Sequence, residues 1–288
     1  MPLNTAPANP EAAEPAYRLH PLSEGFVWRD RPPTDFRSLT AEQRAAFNEQ
    51  GFVKLEGVFD AATLAAVADA IEPFEATHED DLRKARAAAP PGIDAVSISS
   101  PDVITFTTHI AQHSPVLAAF AAHPAIKAVC HDLMGDDVRL YWDQSVYKKT
   151  GKAQEFPWHQ DNGYTFIEPQ QYLTFWIPLV DVDDQNGCPW IAPGMHRLGT
   201  LKHWVTDIGL KCLNEVPDAV AVPAKAGDII LFSSLAPHRT GPNLRAGTVR
   251  KAYILQYCLD GAVSTLRDGT RIPQDDPKRQ FKILEGGR

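Results

Sequence analysis

Two stretches of the chain have a histidine two residues before an aspartate: PWHQDNGY contains His159 and Asp161, and THEDDL contains His78 and Asp80. On a strand, side chains at i and i+2 point to the same face, roughly 7 Å apart at Cα, so both can reach one metal ion. On a helix they point about 200° apart and cannot share an ion. The first pair lies in an aromatic, β-rich segment and the second in a charged run of helical character. We therefore predict a metal site at His159 and Asp161 and a solvated helix face at His78 and Asp80.

A third ligand is expected from a distant strand, and His238 in LFSSLAPHRTGPN is the best candidate. The apolar run 229–232 predicts a buried strand that leads to this histidine in a proline-flanked turn. A capped core histidine is an equally good interpretation of His238 taken alone. Two histidines and one carboxylate on one face of an octahedron leave three positions open, which is the arrangement of non-haem iron(II) oxygenases.

An iron of this kind needs two electrons that it cannot itself supply, and 2-oxoglutarate supplies them in a reaction with O2. The keto acid chelates iron at one end, so its distal carboxylate needs a cationic anchor. Arginine suits this role because its planar fork matches a carboxylate. Arg250 begins the next strand after His238, whereas Lys251 faces the opposite way and Arg245 lies in a solvated turn.

Helices are expected first along the chain and short strands after them. Thr40 and Gln43 form a predicted capping box for a helix that ends at Gly51, and Asp60 caps an alanine-rich helix. Ser114 begins a third helical stretch with a break at a proline.

After residue 135, seven β-rich runs separated by turn residues predict an antiparallel barrel: VRLYWDQSVYKK, EFPWHQD, QYLTFWIPLVDV, CPWIAP, AVAVPA, DIILFSS and VRKAYILQYCL. We expect a mainly β fold with flanking helices, in which N-terminal helices buttress a double-stranded β-helix (jelly-roll) core. Residues 1–37 should form a flexible or domain-covering arm, and residues 38–288 a single domain.

Composition narrows the classes of partner. The formal net charge of −8 argues against nucleic acid and anionic membranes as partners. The four cysteines have no CxxC spacing, which fits reduced thiols in a cytoplasm. The N-terminal stretch has no secretory-signal pattern, and no apolar run approaches the roughly 20 residues that span a bilayer. We expect a cytoplasmic protein; its oligomeric state is not predicted.

These segments resemble the phytanoyl-CoA dioxygenase-like family of Fe(II)/2-oxoglutarate-dependent oxygenases. The resemblance runs from about residue 39 to residue 259, through LTAEQRAAFNEQGFVKLEGVF, WHQD, LTFWIPLVDVDDQNGCPWIAPGMH, AGDIILFSSLAPHRTGPN and RKAYILQY. It implies iron ligands at His159, Asp161 and His238, and cosubstrate contacts from Arg250, Thr240 and Trp176.

The resemblance extends to the strand before the motif, where Gln144 and Lys148 would line the cosubstrate or substrate cavity; a polar barrel rim is the alternative. Two features depart from the family pattern. Met195 stands where the family usually has a serine, next to a structural His196, and the interval from His238 to Arg250 is slightly long.

The implied function is that of a dioxygenase that hydroxylates a small molecule and releases succinate and CO2. Related halogenases lack the carboxylate ligand, so Asp161 favours hydroxylation, although desaturation, epoxidation and ring closure stay open. Tyr164, Phe166 and Trp158 near the iron suggest an aromatic wall around the substrate, with barrel core as the alternative for the last two. An acyl-CoA 2-hydroxylase would need a phosphate patch, for which only the basic clusters 83–86 and 148–152 could serve. A third alternative is a non-catalytic barrel that binds Zn(II) structurally.

Overall fold

The first helix begins and ends at the predicted capping residues. The computed structural model describes residues 17–31, 35–88, 99–150, 153–266 and 268–288. Thr40 caps α1 (Ala41–Gln50): its hydroxyl accepts a hydrogen bond from Gln43 N, and the Gln43 side chain accepts one from Thr40 N. Gly51 ends α1 with a φ of 84°. A Cβ at Gly51 would lie 2.5 Å from His196 Nδ1, so the predicted glycine stop also lets the histidine approach.

The other three α-helices also begin at capping residues or prolines that the sequence indicates. The Asp60 carboxylate accepts from Thr63 N at the start of α2 (Ala61–Ala88), which continues past a proline into the charged run. His78 and Asp80 therefore lie on a helix, as predicted. Ser114 caps α3 (Pro115–Ala121), and a proline begins α4 (Pro124–Leu133). None of the described helices combines the length and the apolar character that a membrane span requires.

The paired strands of the described chain all run antiparallel to their neighbours. In chain order they are β1 (Phe52–Leu55), β2 (Ile104–Thr108), β3 (Val138–Lys148), β4 (Phe156–His159), β5 (Ile167–Glu168), β6 (Leu173–Pro178), β7 (Pro189–Ile191), β8 (Trp204–Thr206), β9 (Gly209–Lys211), β10 (Val220–Ala221), β11 (Ile229–Ser233), β12 (His238–Thr240), β13 (Arg250–Leu259), β14 (Val263–Thr265), β15 (Arg271–Pro273) and β16 (Lys282–Leu284). The major sheet has the order β1-β11-β6-β13-β3-β16, with β2 also paired to β3, and the minor sheet has the order β10-β7-β12-β4.

The two faces of the major sheet have different neighbours. On the outer face, Ile71 of α2, Phe120 of α3 and Ile126 of α4 pack with Phe175 of β6 and Leu255 of β13. On the inner face, a second core that includes Trp176, Phe232 and Ile254 packs against Ile191 of the minor sheet. Helices therefore cover one face and a second sheet covers the other, which is the predicted buttressed jelly roll.

The segment 17–31 lies against the barrel. Leu19 forms an isolated bridge with Leu201, and the Ser23 hydroxyl donates to Gln170 Oε1 at 2.9 Å. The His20 ring stacks on Phe166 with centroids 4.8 Å apart. Residues 1–16 and 32–34 of the predicted arm lie outside the described residues. The division into an arm and a single domain stays a prediction.

Candidate active site

Strand pairing brings the two predicted histidines together. In the antiparallel pair of β12 and β4, His238 is the direct partner of His159, and their ring centroids lie 4.1 Å apart. Asp161 Oδ1 lies 3.9 Å from His159 Nε2 and 3.8 Å from His238 Nε2. The three ligand atoms lie within 4.8 Å of one another, and no other group of this kind occurs among the described residues. The predicted triad therefore converges, whereas His78 and Asp80 form no such group.

Hydrogen bonds fix both imidazole rings with Nε2 available to a metal. His159 Nδ1 lies 2.8 Å from Pro157 O, and His238 Nδ1 lies 3.0 Å from Ala236 O. A carbonyl oxygen only accepts, so each Nδ1 carries the proton and each Nε2 keeps its lone pair. Burial, and next the neighbouring His238, lower the pKa of His159 well below its usual value. The ring is therefore neutral near pH 7, which is the form that binds metal.

Asp161 is held by Thr174, a residue that no sequence motif indicates. The Thr174 hydroxyl donates to Asp161 Oδ2 at 2.6 Å, which leaves Oδ1 facing the two histidines. Asp161 does not lie on a strand as predicted, because β4 ends at His159 and Asp161 begins a short 3-10 helix. Gln160 between them is extended, with φ −113° and ψ 143°, so the two side chains still point the same way.

A cavity of about 390 Å³ lies between the two sheets, with the triad in its wall and Arg250 also lining it. Arg250 is 1% exposed, its guanidinium lies 5.3 Å from the Trp176 ring, and Nη1 donates to Val146 O at 3.3 Å. Its buried Nε has no hydrogen-bond partner among the described residues. A buried cation with an unpartnered donor fits an anion such as a carboxylate. Together with the histidine and carboxylate donor set, this fits Fe(II) and 2-oxoglutarate.

The side chains of Lys251 and Arg245 point away from the cavity, as predicted. Lys251 pairs with Glu72 on the outer face of the major sheet. Arg245 pairs with Asp183 and is half exposed. Of the three cations considered as the anchor, Arg250 is therefore the one that reaches the cavity.

Lys148 and Thr240 lie beside Arg250 but differ in position. Thr240 lines the cavity, whereas Lys148 is not among the described residues that line it. The Lys148 ammonium donates to Thr240 Oγ1 at 3.0 Å and to the carbonyl oxygens of Thr240 and Gly241. Burial, and next the charge of Arg250, lower the pKa of Lys148 well below its usual value. Because Thr240 Oγ1 already accepts this bond, its own proton is free to be donated into the cavity.

Of the predicted aromatic wall, only Tyr164 lines the cavity; Gln144 and Trp176 also line it, as expected. Trp158 instead packs with Leu201 and Leu213 in a separate cluster, which is the barrel-core alternative given for it. Trp158 immediately precedes His159 on β4, and adjacent strand residues face opposite ways. Phe166 is likewise outside the cavity, stacked on His20. His196 is buried and bonded to a backbone carbonyl, in keeping with a structural role.

The sequence motifs did not indicate strand β2 or the cavity residues Ile254 and Gln256 of β13. Ile104, Phe106 and Thr108 of β2 line the cavity, as does Gln256 of β13. The run ITFTT is rich in β-branched residues, a signal that could have revealed this strand. Gln256 follows the Arg250 face of β13 by simple alternation, so it could have been found in the same way.

The fold and site together define a jelly-roll protein with a two-histidine, one-carboxylate metal site. The family model for phytanoyl-CoA dioxygenase (PhyH) matches residues 47–252. The chain therefore belongs to the phytanoyl-CoA dioxygenase family, as its motifs predict.

Relatives support this membership. The ectoine dioxygenase of Sphingopyxis alaskensis is 28% identical over 213 residues, which cover 72% of this chain and 60% of that protein. The phytanoyl-CoA dioxygenase of Arabidopsis thaliana is 32% identical over 116 residues, 38% of this chain and 41% of the relative. The chain thus spans less than two thirds of the length of these two relatives. The crystal structure of EctD from S. alaskensis with 2-oxoglutarate and 5-hydroxyectoine has a TM-score of 0.61 and 25% identity, covering 88% of this chain and 86% of that one.

Proposed function

We propose that the protein is an Fe(II)/2-oxoglutarate-dependent dioxygenase that hydroxylates a small molecule. In this reaction a substrate C–H bond becomes C–OH, while O2 and 2-oxoglutarate yield that hydroxyl oxygen, succinate and CO2. The observation that carries the proposal is the pairing of two features in one cavity: a convergent triad, and a buried arginine whose Nε has no partner. Membership of the family and similarity to a structure that contains 2-oxoglutarate support it.

The roles of the residues follow from their contacts. His159, Asp161 and His238 hold Fe(II) from one side, and the bound metal supplies the chemistry that activates O2. Arg250 binds the distal carboxylate of 2-oxoglutarate, and the Thr240 hydroxyl donates a second hydrogen bond to it. Lys148 keeps the Thr240 hydroxyl turned toward the cavity. Because the carboxylate ligand is present, hydroxylation is the expected outcome rather than halogenation.

The substrate is proposed to be a free small molecule and not an acyl-CoA. The described basic clusters that could have bound phosphates are occupied by carboxylates of the same chain: Arg83 and Arg86 pair with Asp102, Lys84 with Asp80, and Lys149 with Glu79. Lys148 is buried, and Lys152 lies outside the described residues.

The setting is proposed to be a reducing cytoplasm. All four cysteines are free and buried. Neither nucleic acid nor a membrane surface is proposed as a partner, because the chain carries a net charge of −8.

Anaerobic addition of Fe(II) and then 2-oxoglutarate tests the proposal directly. Chelation of the metal by the keto acid should produce a weak visible charge-transfer band. On admission of O2, succinate should be released and its release should rise with the true substrate. A barrel that holds Zn(II) structurally would give neither signal, and their absence would refute the proposal.

A further inference from the structure

The charges in the cavity restrict the substrate that it can bind, an inference that rests on the proposed function. Among the described residues that line the cavity, Arg and Asp each occur once, as Arg250 and Asp161, and both are assigned to the cosubstrate and the metal. Apart from the two histidine ligands, the rest of the lining is apolar, aromatic or uncharged polar. Burying an ionised substrate group without a partner of opposite charge is costly. A carboxylate, phosphate or ammonium on the substrate would have no described counter-charge.

The inner face of β13 separates a cosubstrate end from a substrate end. Arg250 and Gln256 both point to this face, six residues apart, which is about 20 Å along an extended strand. Gln256 is the cross-strand partner of Thr174, the residue that holds Asp161. If Arg250 anchors 2-oxoglutarate and the triad holds the metal, the cosubstrate would fill the Arg250 end of the cavity, which leaves the Gln256 end for the substrate.

Two glutamines supply uncharged hydrogen-bonding groups at the substrate end. Gln144 Oε1 accepts from Trp142 Nε1 at 3.1 Å, so its amide nitrogen is the end left to donate. Gln256 is 7% exposed, and its amide has no hydrogen bond to any described residue. Gln144 is the partner of Ile254, which makes Gln144 and Gln256 diagonal neighbours, about 7–8 Å apart at Cα. Both amides can therefore approach one acceptor atom.

Aromatic rings form the walls near the metal. The ring centroids of Phe106 of β2 and Phe156 of β4 lie 5.4 Å apart. Phe156 and Tyr164 also make T-shaped contacts with the His159 ring, with centroid distances of 4.8 and 5.5 Å respectively. All three rings line the cavity. Such walls bind an apolar or aromatic body through contact area rather than charge.

We propose that the substrate is an uncharged, largely apolar small molecule with a carbonyl-type acceptor that Gln144 and Gln256 bind. The acceptor anchors the molecule at one end, and the aromatic walls hold its body against the metal. This class differs from ectoine, which carries a carboxylate, and from methylphosphonate, the compounds in the names of two relatives.

Binding to the anaerobic Fe(II)–2-oxoglutarate complex tests the class of substrate. A panel of matched pairs would set neutral amides, lactams and cyclic ketones against carboxylates of the same shape, for example indole-3-acetamide against indole-3-acetate, with ectoine and methylphosphonate included. The charge-transfer band first reports whether the cosubstrate complex forms, so failure of the proposed function is recognised separately. With the band present, binding is detected by perturbation of the band and by ligand-observed NMR. We expect the compounds that bind to be neutral. Each acid should bind at least about 10-fold more weakly than its neutral partner. Binders drawn mainly from the charged compounds, or none among the neutral ones, would overturn the proposal.

The glutamines are tested with the best neutral binder and its carbonyl-free hydrocarbon analogue. Gln256→Leu and Gln144→Leu should each weaken binding of the carbonyl compound about 10-fold and change binding of the hydrocarbon less than about 2-fold. Gln112→Leu, at an exposed position outside the cavity, is the matched control. Equal losses for both compounds would mean that the glutamines only shape the cavity, and would contradict their proposed role.

Discussion

Arg250→Ala tests whether the buried arginine anchors the cosubstrate. In the structure this guanidinium is 1% exposed, makes a 3.3 Å bond to Val146 O, and leaves Nε without a partner among the described residues. Burial lowers its pKa to about 10, so the group still carries its charge at neutral pH. A carboxylate that enters the cavity therefore meets a charged donor that has little else to bind.

The size of the effect follows from the bonds that are lost. A hydrogen bond to a charged group contributes about 1.5–3 kcal/mol, and about 1.4 kcal/mol corresponds to a tenfold change in affinity. Losing the charge-assisted contact should therefore raise the half-saturating concentration of 2-oxoglutarate by about 10- to 100-fold. Fe(II) binding without the cosubstrate should change little, because Arg250 does not belong to the triad. Arg250→Lys keeps the charge but not the planar fork. Its affinity for 2-oxoglutarate should therefore lie between those of the wild type and Arg250→Ala.

The assay is an anaerobic titration of 2-oxoglutarate, followed by the charge-transfer band, with circular dichroism as a check on folding. Arg245→Ala is the matched control, since Arg245 is half exposed and pairs with Asp183. We expect less than a twofold change for this control. An equal or larger defect in Arg245→Ala, or wild-type affinity in a folded Arg250→Ala, would refute the assignment.

Three further predictions concern the metal ligands. Alanine at any one of the three proposed ligands should abolish Fe(II)-dependent succinate release in a folded protein, whereas His78→Ala should keep wild-type turnover; the opposite pattern would contradict the argument from strand geometry. Asp161→Gly vacates one metal position and removes one charge, so we expect loss of nearly all hydroxylation and at most traces of chlorinated product by mass spectrometry in chloride. Full hydroxylation in chloride-free buffer would show that Asp161 is not a ligand. Thr174→Val removes the 2.6 Å hydrogen bond to Asp161 and should weaken Fe(II) binding about 10-fold in a metal titration, with Thr174→Ser close to wild type. Equal losses in both variants would assign the effect to packing.

The sequence by itself determined the elements whose signals are local. Thr40, Gln43 and Gly51 set the ends of the first helix because a cap satisfies backbone groups within one turn. The triad follows from local signals in the same way, since His159 and Asp161 are separated by one extended residue and His238 follows the apolar run 229–232. The cation on the inner face of β13 also followed from alternation, which separates Arg250 from Lys251.

The tertiary structure alone decided which side chains face the cavity. The second face of each central strand is also buried, here by helices, so hydrophobicity does not identify the inner face. Trp158 lies outside the cavity because it alternates with His159 on β4, and Phe166 lies outside it because it stacks on His20 of the N-terminal segment.

Long-range contacts decided the rest of the site. Lys148 lies on the predicted strand, but its ammonium is bound by oxygens of Thr240 and Gly241, which are remote in sequence. Thr174 meets Asp161 only because β6 lies in the sheet that faces β4. Residues that act on a site through such contacts leave no local pattern, because sheet order and register, not spacing along the chain, set their distances.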